Sequence, residues 1–144
     1  MNEIIKFENI YQKYGKKEVL KDINFSIEEK QILGLLGESG SGKSTIAKVL
    51  TGIESPYKGN INIFGQSFYP KNTITRKKLY KDIQMIYQDS TNSFDPKLTI
   101  GATIDMAQKN LLGLDLKKAQ ENTMKMLERV GLDPKMAYAS KPTD

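Results

Sequence analysis

The stretch Gly37-Glu38-Ser39-Gly40-Ser41-Gly42-Lys43-Ser44 decides the fold, because it fits the pattern G-x-x-x-x-G-K-[ST] of a phosphate-binding loop. Glycines let such a loop turn its backbone N–H groups inward, in conformations that a β-carbon would penalise. A helix that begins near Lys43 would direct the partial positive charge of its N-terminus at the same point. The stretch therefore predicts a loop that binds the phosphates of a nucleotide.

The flanking segments predict the strand and the helix that this loop requires. Residues 32–36, Ile-Leu-Gly-Leu-Leu, are apolar on both faces, which is typical of a central parallel strand. Residues 43–51 predict a helix that Gly52 is suited to end. The competing dinucleotide pattern G-x-G-x-x-G fails, because position 45 is a threonine.

Further outward, the sequence predicts strands before the loop and helices towards the end. Alternating or apolar segments predict strands at residues 4–11, 23–28, 61–63 and 83–87. Helices are predicted at residues 100–112 and 116–130, the second between Asp115 and Gly131 as its caps. One face of the second helix is predicted to consist of Ala119, Thr123, Met126, Leu127 and Val130.

Two features have a functional and a plainer interpretation, and the plainer one is favoured for both. Met124 and Met126 suggest a soft binding surface, but packing is the simpler explanation. The basic run at residues 76–81 suggests contact with nucleic acid or lipid headgroups, but a solvated face is the simpler explanation.

The composition excludes several kinds of chemistry. The 144 residues include no cysteine and no histidine, which excludes disulfides, thiolate or imidazole metal sites and imidazole catalysis. The net charge of +5 suits a polyanionic ligand or an anionic membrane surface without requiring nucleic acid. The sequence shows no signal peptide, and no apolar run approaches the roughly twenty residues of a spanning helix. We therefore expect a cytoplasmic chain whose membrane partner, if any, does the spanning.

The chain resembles the ATP-binding cassette (ABC) ATPases over essentially its whole length. Gly-Glu-Ser-Gly-Ser-Gly-Lys-Ser-Thr at residues 37–45 is typical of the branch that imports oligopeptides, dipeptides and nickel. Residues 83–89, Ile-Gln-Met-Ile-Tyr-Gln-Asp, resemble the strand that leads into the family's Q-loop. Residues 90–100 continue the branch pattern Q-D-P-x-x-S-L-N-P-R-x-T, which begins at Gln88. The departures from that pattern are Ser90 for proline, Phe94 for leucine, Asp95 for asparagine and Lys97 for arginine.

The resemblance implies an α/β fold with a P-loop NTPase core sheet around residues 32–36, an antiparallel β subdomain and a helical subdomain. We expect residues 1–95 to form the β subdomain and the P-loop core through the Q-loop. Residues 96–144 are expected to begin the helical subdomain, truncated before the signature loop.

The loop pattern and the resemblance together imply a site for ATP and Mg²⁺. Lys43 would reach the β- and γ-phosphates, the Ser44 hydroxyl would ligate Mg²⁺, and Thr45 would offer its hydroxyl and N–H to the α-phosphate. Gln88 would ligate Mg²⁺ or orient a water without adding charge, although it could simply cap a strand end. Tyr14 resembles the adenine-stacking aromatic, although a plain core or surface tyrosine is the alternative. The predicted nucleotide-binding residues are Tyr14, Gly37, Glu38, Ser39, Gly40, Ser41, Gly42, Lys43, Ser44, Thr45 and Gln88, with Ser44 and Gln88 as the Mg²⁺ ligands.

The catalytic set that the family uses is incomplete in this sequence. The signature Leu-Ser-Gly-Gly-Gln does not occur, and neither does a strand ending in Asp-Glu or a switch histidine. Residues 83–89 are a poor substitute for that strand because Gln84 interrupts their apolar run, and Asp105 lies in a helical pattern. We therefore expect an N-terminal part of an ABC ATPase subunit that binds nucleotide weakly without turning it over.

The implied function is that of the ATP-binding subunit of an importer for peptides or for nickel and other metal chelates, with the cargo left open. Its partners would be transmembrane permease subunits, a second identical or related ABC ATPase and, indirectly, an extracytoplasmic substrate-binding protein, but no nucleic acid. It would lie peripherally on the cytoplasmic face of the cell membrane. The alternatives are a non-catalytic nucleotide-binding fragment and a non-transport ABC protein that acts on nucleic acid.

Overall fold

The computed structural model describes residues 2–68, 73–88 and 93–142, with the backbone alone at residues 73–76. The chain divides into two compact units, Met1–Met85 and Ile86–Asp144. The predicted subdomains, residues 1–95 and 96–144, stay a prediction about a larger cassette. Asp89 and residues 90–92 of the predicted Q-loop region lie outside the described residues.

The described residues of the first unit form an antiparallel sheet and two helices. Its strands are β1 (Glu3–Tyr14), β2 (Lys17–Glu28), β3 (Lys58–Ile63) and β4 (Gln66–Ser67), and their order in the sheet is β2-β1-β3-β4. Its helices are α1 (Lys43–Leu50) and α2 (Thr73–Asp82). The strands predicted at residues 4–11, 23–28 and 61–63 are confirmed, as is the helix after the loop.

An apolar core holds the first unit together. Phe7 is 1% exposed, and its ring stacks on Phe25 with centroids 4.5 Å apart. Gly59 of β3 passes so close to β1 that a β-carbon there would lie 2.2 Å from the carbonyl oxygen of Asn9. The remaining buried apolar side chains of this core are Ile5, Ile10, Leu20, Val49, Ile61, Ile63, Phe68 and Leu79.

Two predicted strands do not form. Residues 32–36 and residues 83–87 have no strand assignment, so the predicted parallel core sheet is not formed by the described residues. A strand is defined by its hydrogen bonds to a neighbouring strand, and no described strand pairs with either segment. As a result Ile32, Leu36 and Ile86 are 96%, 98% and 96% exposed.

The second unit is helical. Its described helices are α3 (Ile100–Leu112), α4 (Leu116–Arg129) and α5 (Pro134–Ala139). The predictions of α3 and of a helix behind Asp115 are confirmed, and Asp115 accepts a hydrogen bond from the Lys118 N–H at 2.8 Å. Gly131 follows the C-cap residue of α4 with φ +76°, a backbone conformation that favours glycine.

The centre of the second unit is a buried polar network. Asp105, 4% exposed, accepts hydrogen bonds from the Thr123 hydroxyl at 2.6 Å and from the Tyr138 hydroxyl at 2.8 Å. Gln108 donates to the Thr123 hydroxyl oxygen at 2.8 Å. Partial burial and the Asp105 carboxylate raise the pKa of Tyr138 to about 12. A β-carbon at Gly101 would lie 2.6 Å from the Tyr138 ring, so α3 and α5 meet closely there.

The predicted packing face of α4 is partly wrong. Ala119, Thr123 and Leu127 are buried, at the four-residue spacing of a narrow stripe. Met126 and Val130 are 51% and 70% exposed, because they lie beside that stripe. Met124, interpreted as a packing residue, is also 41% exposed.

The basic run at residues 76–81 lies on α2. Leu79 is buried, whereas Lys77, Lys78 and Lys81 are exposed, as a solvated face requires. The side chain of Arg76 lies outside the described residues. No helix in the described ranges combines the length and the apolar character needed to cross a bilayer.

Candidate functional site

The glycine-rich loop has the backbone conformations that its sequence predicts. Gly40 and Gly42 have φ angles of +81° and +100°, which a residue with a β-carbon rarely adopts. A β-carbon at Gly42 would lie 2.9 Å from Leu20 Cδ2 and 3.2 Å from the Val19 carbonyl oxygen. The end of the loop therefore rests against β2, where a β-carbon would require the Leu20 side chain to shift.

The helix after the loop begins without a side-chain cap. Gly42 is the N-cap residue of α1 and makes no side-chain hydrogen bond to the first turn. By contrast, Thr99, Asp115 and Asp133 cap α3, α4 and α5 with their side-chain oxygens. The first amides of a helix have no acceptor within the helix. These free N–H groups and the helix dipole both attract anions. The first turn of α1 is therefore suited to phosphate oxygens.

Lys43 adds a positive charge at the same place. Its ammonium donates hydrogen bonds to the carbonyl oxygens of Gly37 and Glu38 at 2.8 and 2.7 Å, and it lies 3.3 Å from the Ser41 hydroxyl oxygen. The side chain thus folds back over the loop, since it contacts both the start and the end of it. This arrangement combines a cation with backbone N–H groups, the combination by which proteins bind a polyphosphate.

Ser44 and Thr45 differ in their accessibility. Ser44 is exposed and can offer its hydroxyl to a hydrated cation, whereas Thr45 is only 8% exposed. Within the described part of the chain no group of three metal-ligating side chains occurs. A single hydroxyl fits Mg²⁺, which commonly takes most of its ligands from phosphates and water. The roles of Ser44 and Thr45 stay predictions.

Tyr14 is held at the tip of the β1–β2 hairpin. It is 45% exposed, and its hydroxyl donates a hydrogen bond to Glu54. No sequence signal points to Glu54, because the two residues are 40 positions apart and a glutamate in a turn belongs to no motif. The stacking role of Tyr14 stays a prediction.

Gln88 lies in the second unit, whereas the loop and Tyr14 lie in the first. It is exposed and sits at a bend, and the strand predicted to precede it does not form. Its role as a Mg²⁺ ligand therefore stays a prediction as well.

The glycine loop, the uncapped helix and the lysine define a protein of the P-loop class. The family described as "ABC transporter" matches residues 20–142. The chain therefore belongs to the ABC transporter family.

Curated relatives are nickel import ATP-binding proteins. The chain is 36% identical over 121 residues to the nickel import ATP-binding protein NikE of Shigella flexneri, a match that covers 84% of this chain and 45% of that protein. NikE of Escherichia coli (strain K12) is 35% identical over the same shares. The chain thus spans about half the length of the curated relatives that it matches.

Solved structures confirm the fold class. CbiO1 from Clostridium perfringens, part of the ABC transporter complex cbiONQ, has a TM-score of 0.68 at 24% identity, covering 92% of this chain and 52% of that one. The ATP-binding cassette MJ0796, in a dimeric post-hydrolysis state bound to ADP and Pi, has a TM-score of 0.77 at 22% identity, covering 97% and 62%. At these identities the likeness concerns the fold alone.

Proposed function

We propose that this chain is the MgATP-binding part of the ATPase subunit of an ABC importer. The observation that carries the proposal is the position of the Lys43 ammonium, over the glycine loop and beside the uncapped start of α1. The resemblance of the sequence to nickel import ATP-binding proteins supports the import role.

Different residues of the first unit bind different groups of MgATP. Lys43 and the amides of the loop bind the β- and γ-phosphates, Ser44 holds Mg²⁺ against them, and Thr45 serves the α-phosphate. Bound Mg²⁺ neutralises part of the phosphate charge. Tyr14 offers its ring to the adenine. The role of Gln88 as a Mg²⁺ ligand stays a prediction from the sequence.

The chain by itself binds nucleotide without efficient hydrolysis. Hydrolysis needs a positioned water, a base and charge stabilisation at the γ-phosphate in addition to binding. The sequence has neither the signature motif nor the Asp-Glu strand by which the family resemblance would supply these groups.

In the importer, the protein lies at the cytoplasmic face of the membrane and pairs with a second ABC ATPase subunit. Together they act on transmembrane permease subunits, and an extracytoplasmic binding protein delivers the cargo. The relatives favour nickel or a metal chelate as the cargo, and peptide import is the second candidate because the loop sequence is typical of the branch that imports both peptides and nickel.

The test is calorimetric titration of the 144-residue chain with MgATP, in parallel with Lys43→Ala and Lys81→Ala. Lys81 is an exposed lysine on α2 and serves as the matched control for loss of one charge. We expect Lys43→Ala to weaken binding at least about tenfold, since it removes a charge-assisted contact worth about 1.5–3 kcal/mol. Lys81→Ala is expected to leave the affinity unchanged.

Two results would contradict the proposal. Equal MgATP affinity of the parent chain and Lys43→Ala would show that the loop is not the nucleotide site. Phosphate release by the parent chain well above that of Lys43→Ala would show that the chain hydrolyses ATP unaided.

A further inference from the structure

One carboxylate, that of Glu54, joins Tyr14 to the helix that starts at the phosphate-binding loop. The Tyr14 hydroxyl donates a hydrogen bond to Glu54 Oε2. Glu54 Oε1 lies 3.4 Å from the ammonium of Lys48, in the last turn of α1. The backbone N–H of Glu54 also donates to the Lys48 carbonyl oxygen at 3.1 Å. The tip of the hairpin is therefore tied to the helix whose first residue is Lys43.

The surroundings of Glu54 differ from those of an ordinary surface carboxylate. Its side chain is only 20% exposed, and the buried Gln12 contributes a further, longer hydrogen bond at 3.4 Å. Burial pulls the pKa of the Glu54 carboxyl upward, but the hydrogen bonds from Tyr14, Gln12 and Lys48 together outweigh it and leave the pKa below its ordinary value. The group is therefore ionised at neutral pH and holds its three donors at once.

A second contact fixes the same hairpin to the other end of α1. Gly42 lies close to Val19 and Leu20 of β2, since a β-carbon added there would be 2.9 Å from Leu20 Cδ2 and 3.2 Å from the Val19 carbonyl oxygen. Leu20 pairs with Gln12 across the hairpin, and Tyr14 pairs with Lys17 nearer the turn. The hairpin thus meets the start of α1 through Gly42 and the end of α1 through Glu54.

We infer that Glu54 is a positioning residue for the adenine base, because it fixes the Tyr14 ring relative to the phosphate-binding loop. The inference rests on the proposed function, which assigns base stacking to Tyr14. The covalent structure of ATP limits the separation of its base from its phosphates, so a ring already ordered at a suitable separation loses less freedom on binding. Without the carboxylate, the exposed ring would have to be ordered by the nucleotide itself.

The experiment compares two ligands that share the phosphate site and differ in the base. MgATP and the magnesium complex of inorganic tripolyphosphate are titrated calorimetrically into the parent chain and Glu54→Gln. We expect Glu54→Gln to weaken MgATP binding about three- to tenfold, the cost of ordering one side chain. The tripolyphosphate affinity is expected to stay unchanged, which also shows that the variant is folded around the loop.

Three further variants test whether the loss of MgATP affinity arises from the hydrogen bond between Tyr14 and Glu54. Tyr14→Phe keeps the ring and loses the hydroxyl, so it should show the same selective loss as Glu54→Gln. The double variant should lose no more than Tyr14→Phe alone, because both changes act on the same hydrogen bond. Glu18→Gln is the matched control, since Glu18, on the same hairpin, accepts a hydrogen bond from the hydroxyl of another tyrosine, Tyr57, at 2.7 Å. It should change neither affinity.

Each contrary result identifies what has failed. If Glu54→Gln leaves MgATP affinity unchanged, or weakens both ligands equally, the positioning role is wrong while the loop remains the phosphate site. If Lys43→Ala weakens neither ligand, the proposed function itself fails, and the role of Glu54 fails with it.

Discussion

The two compact units are stabilised by different means. Among its described residues the first unit buries nine apolar side chains, including the stacked Phe7, in one cluster. In the second unit Leu127 is the one large apolar side chain buried among the described residues, and the polar Asp105, Gln108 and Thr123 lie buried at the helix contacts. Large apolar side chains such as Val130 and Met136 are instead 70% and 64% exposed.

The difference indicates which kind of substitution each unit tolerates. The stability of a close-packed apolar core depends on the volume of its side chains, because each lost methylene removes transfer free energy and leaves a cavity. A buried polar network responds to the loss of a single donor or acceptor, because its former partner is left unpaired. Substitutions in the first unit should therefore lower stability mainly through lost apolar volume, and substitutions in the second mainly through lost hydrogen bonds.

The largest expected effect is that of Phe7→Ala. Truncation of a fully buried aromatic side chain costs about 3–5 kcal/mol. We expect amide hydrogen exchange to accelerate throughout β1 and β3, by a factor that matches this loss, and to stay unchanged in α3 and α4. Phe64→Ala, at a 51% exposed position of the same unit, is the control and should have little effect. Equal acceleration in both units would show that they unfold together and would break the comparison.

A smaller loss is expected for Asp105→Ala. The Thr123 and Tyr138 hydroxyls would lose their shared acceptor, which costs about 2–4 kcal/mol. Glu121→Ala, on the exposed side of α4, is the matched control and should stay within about 0.5 kcal/mol. Urea unfolding followed by helical circular dichroism measures both. Should the two variants have equal midpoints, the buried network would contribute nothing to the second unit.

The smallest effect concerns pH. The folded chain holds the Tyr138 proton up to a pKa of about 12, against an ordinary value of 10.0. The hydroxyl is protonated in both states below pH 10, and the unfolded state loses its proton first above it, so stability falls as pH rises from 10 to 12. The thermal midpoint should therefore decline less steeply over this range in Tyr138→Phe than in the parent chain. Parallel declines of the two thermal midpoints would show that Tyr138 does not contribute to the pH dependence of stability.

Local patterns predicted more of this molecule than long-range pairing did. The loop, the helix α1 and the start of α4 behind Asp115 depend on neighbours in sequence, and all were predicted correctly. Residues 32–36 were predicted as a strand from their apolar pattern, but a strand exists only where another strand pairs with it. The same limit applies to the site: Lys43 was found through its motif, whereas Glu54 is recognisable only through its spatial contacts.

The exposed apolar residues ahead of the phosphate-binding loop influence how the chain behaves as a colloid. Ile32 and Leu36 expose apolar surface that favours self-association, whereas the net charge of +5 makes molecules of the chain repel one another. Salt shortens the range of that repulsion, to about 3 Å at 1 M, but leaves apolar attraction in place. Concentrated solutions of the chain should therefore become turbid as salt is added, and clear again on dilution into low salt.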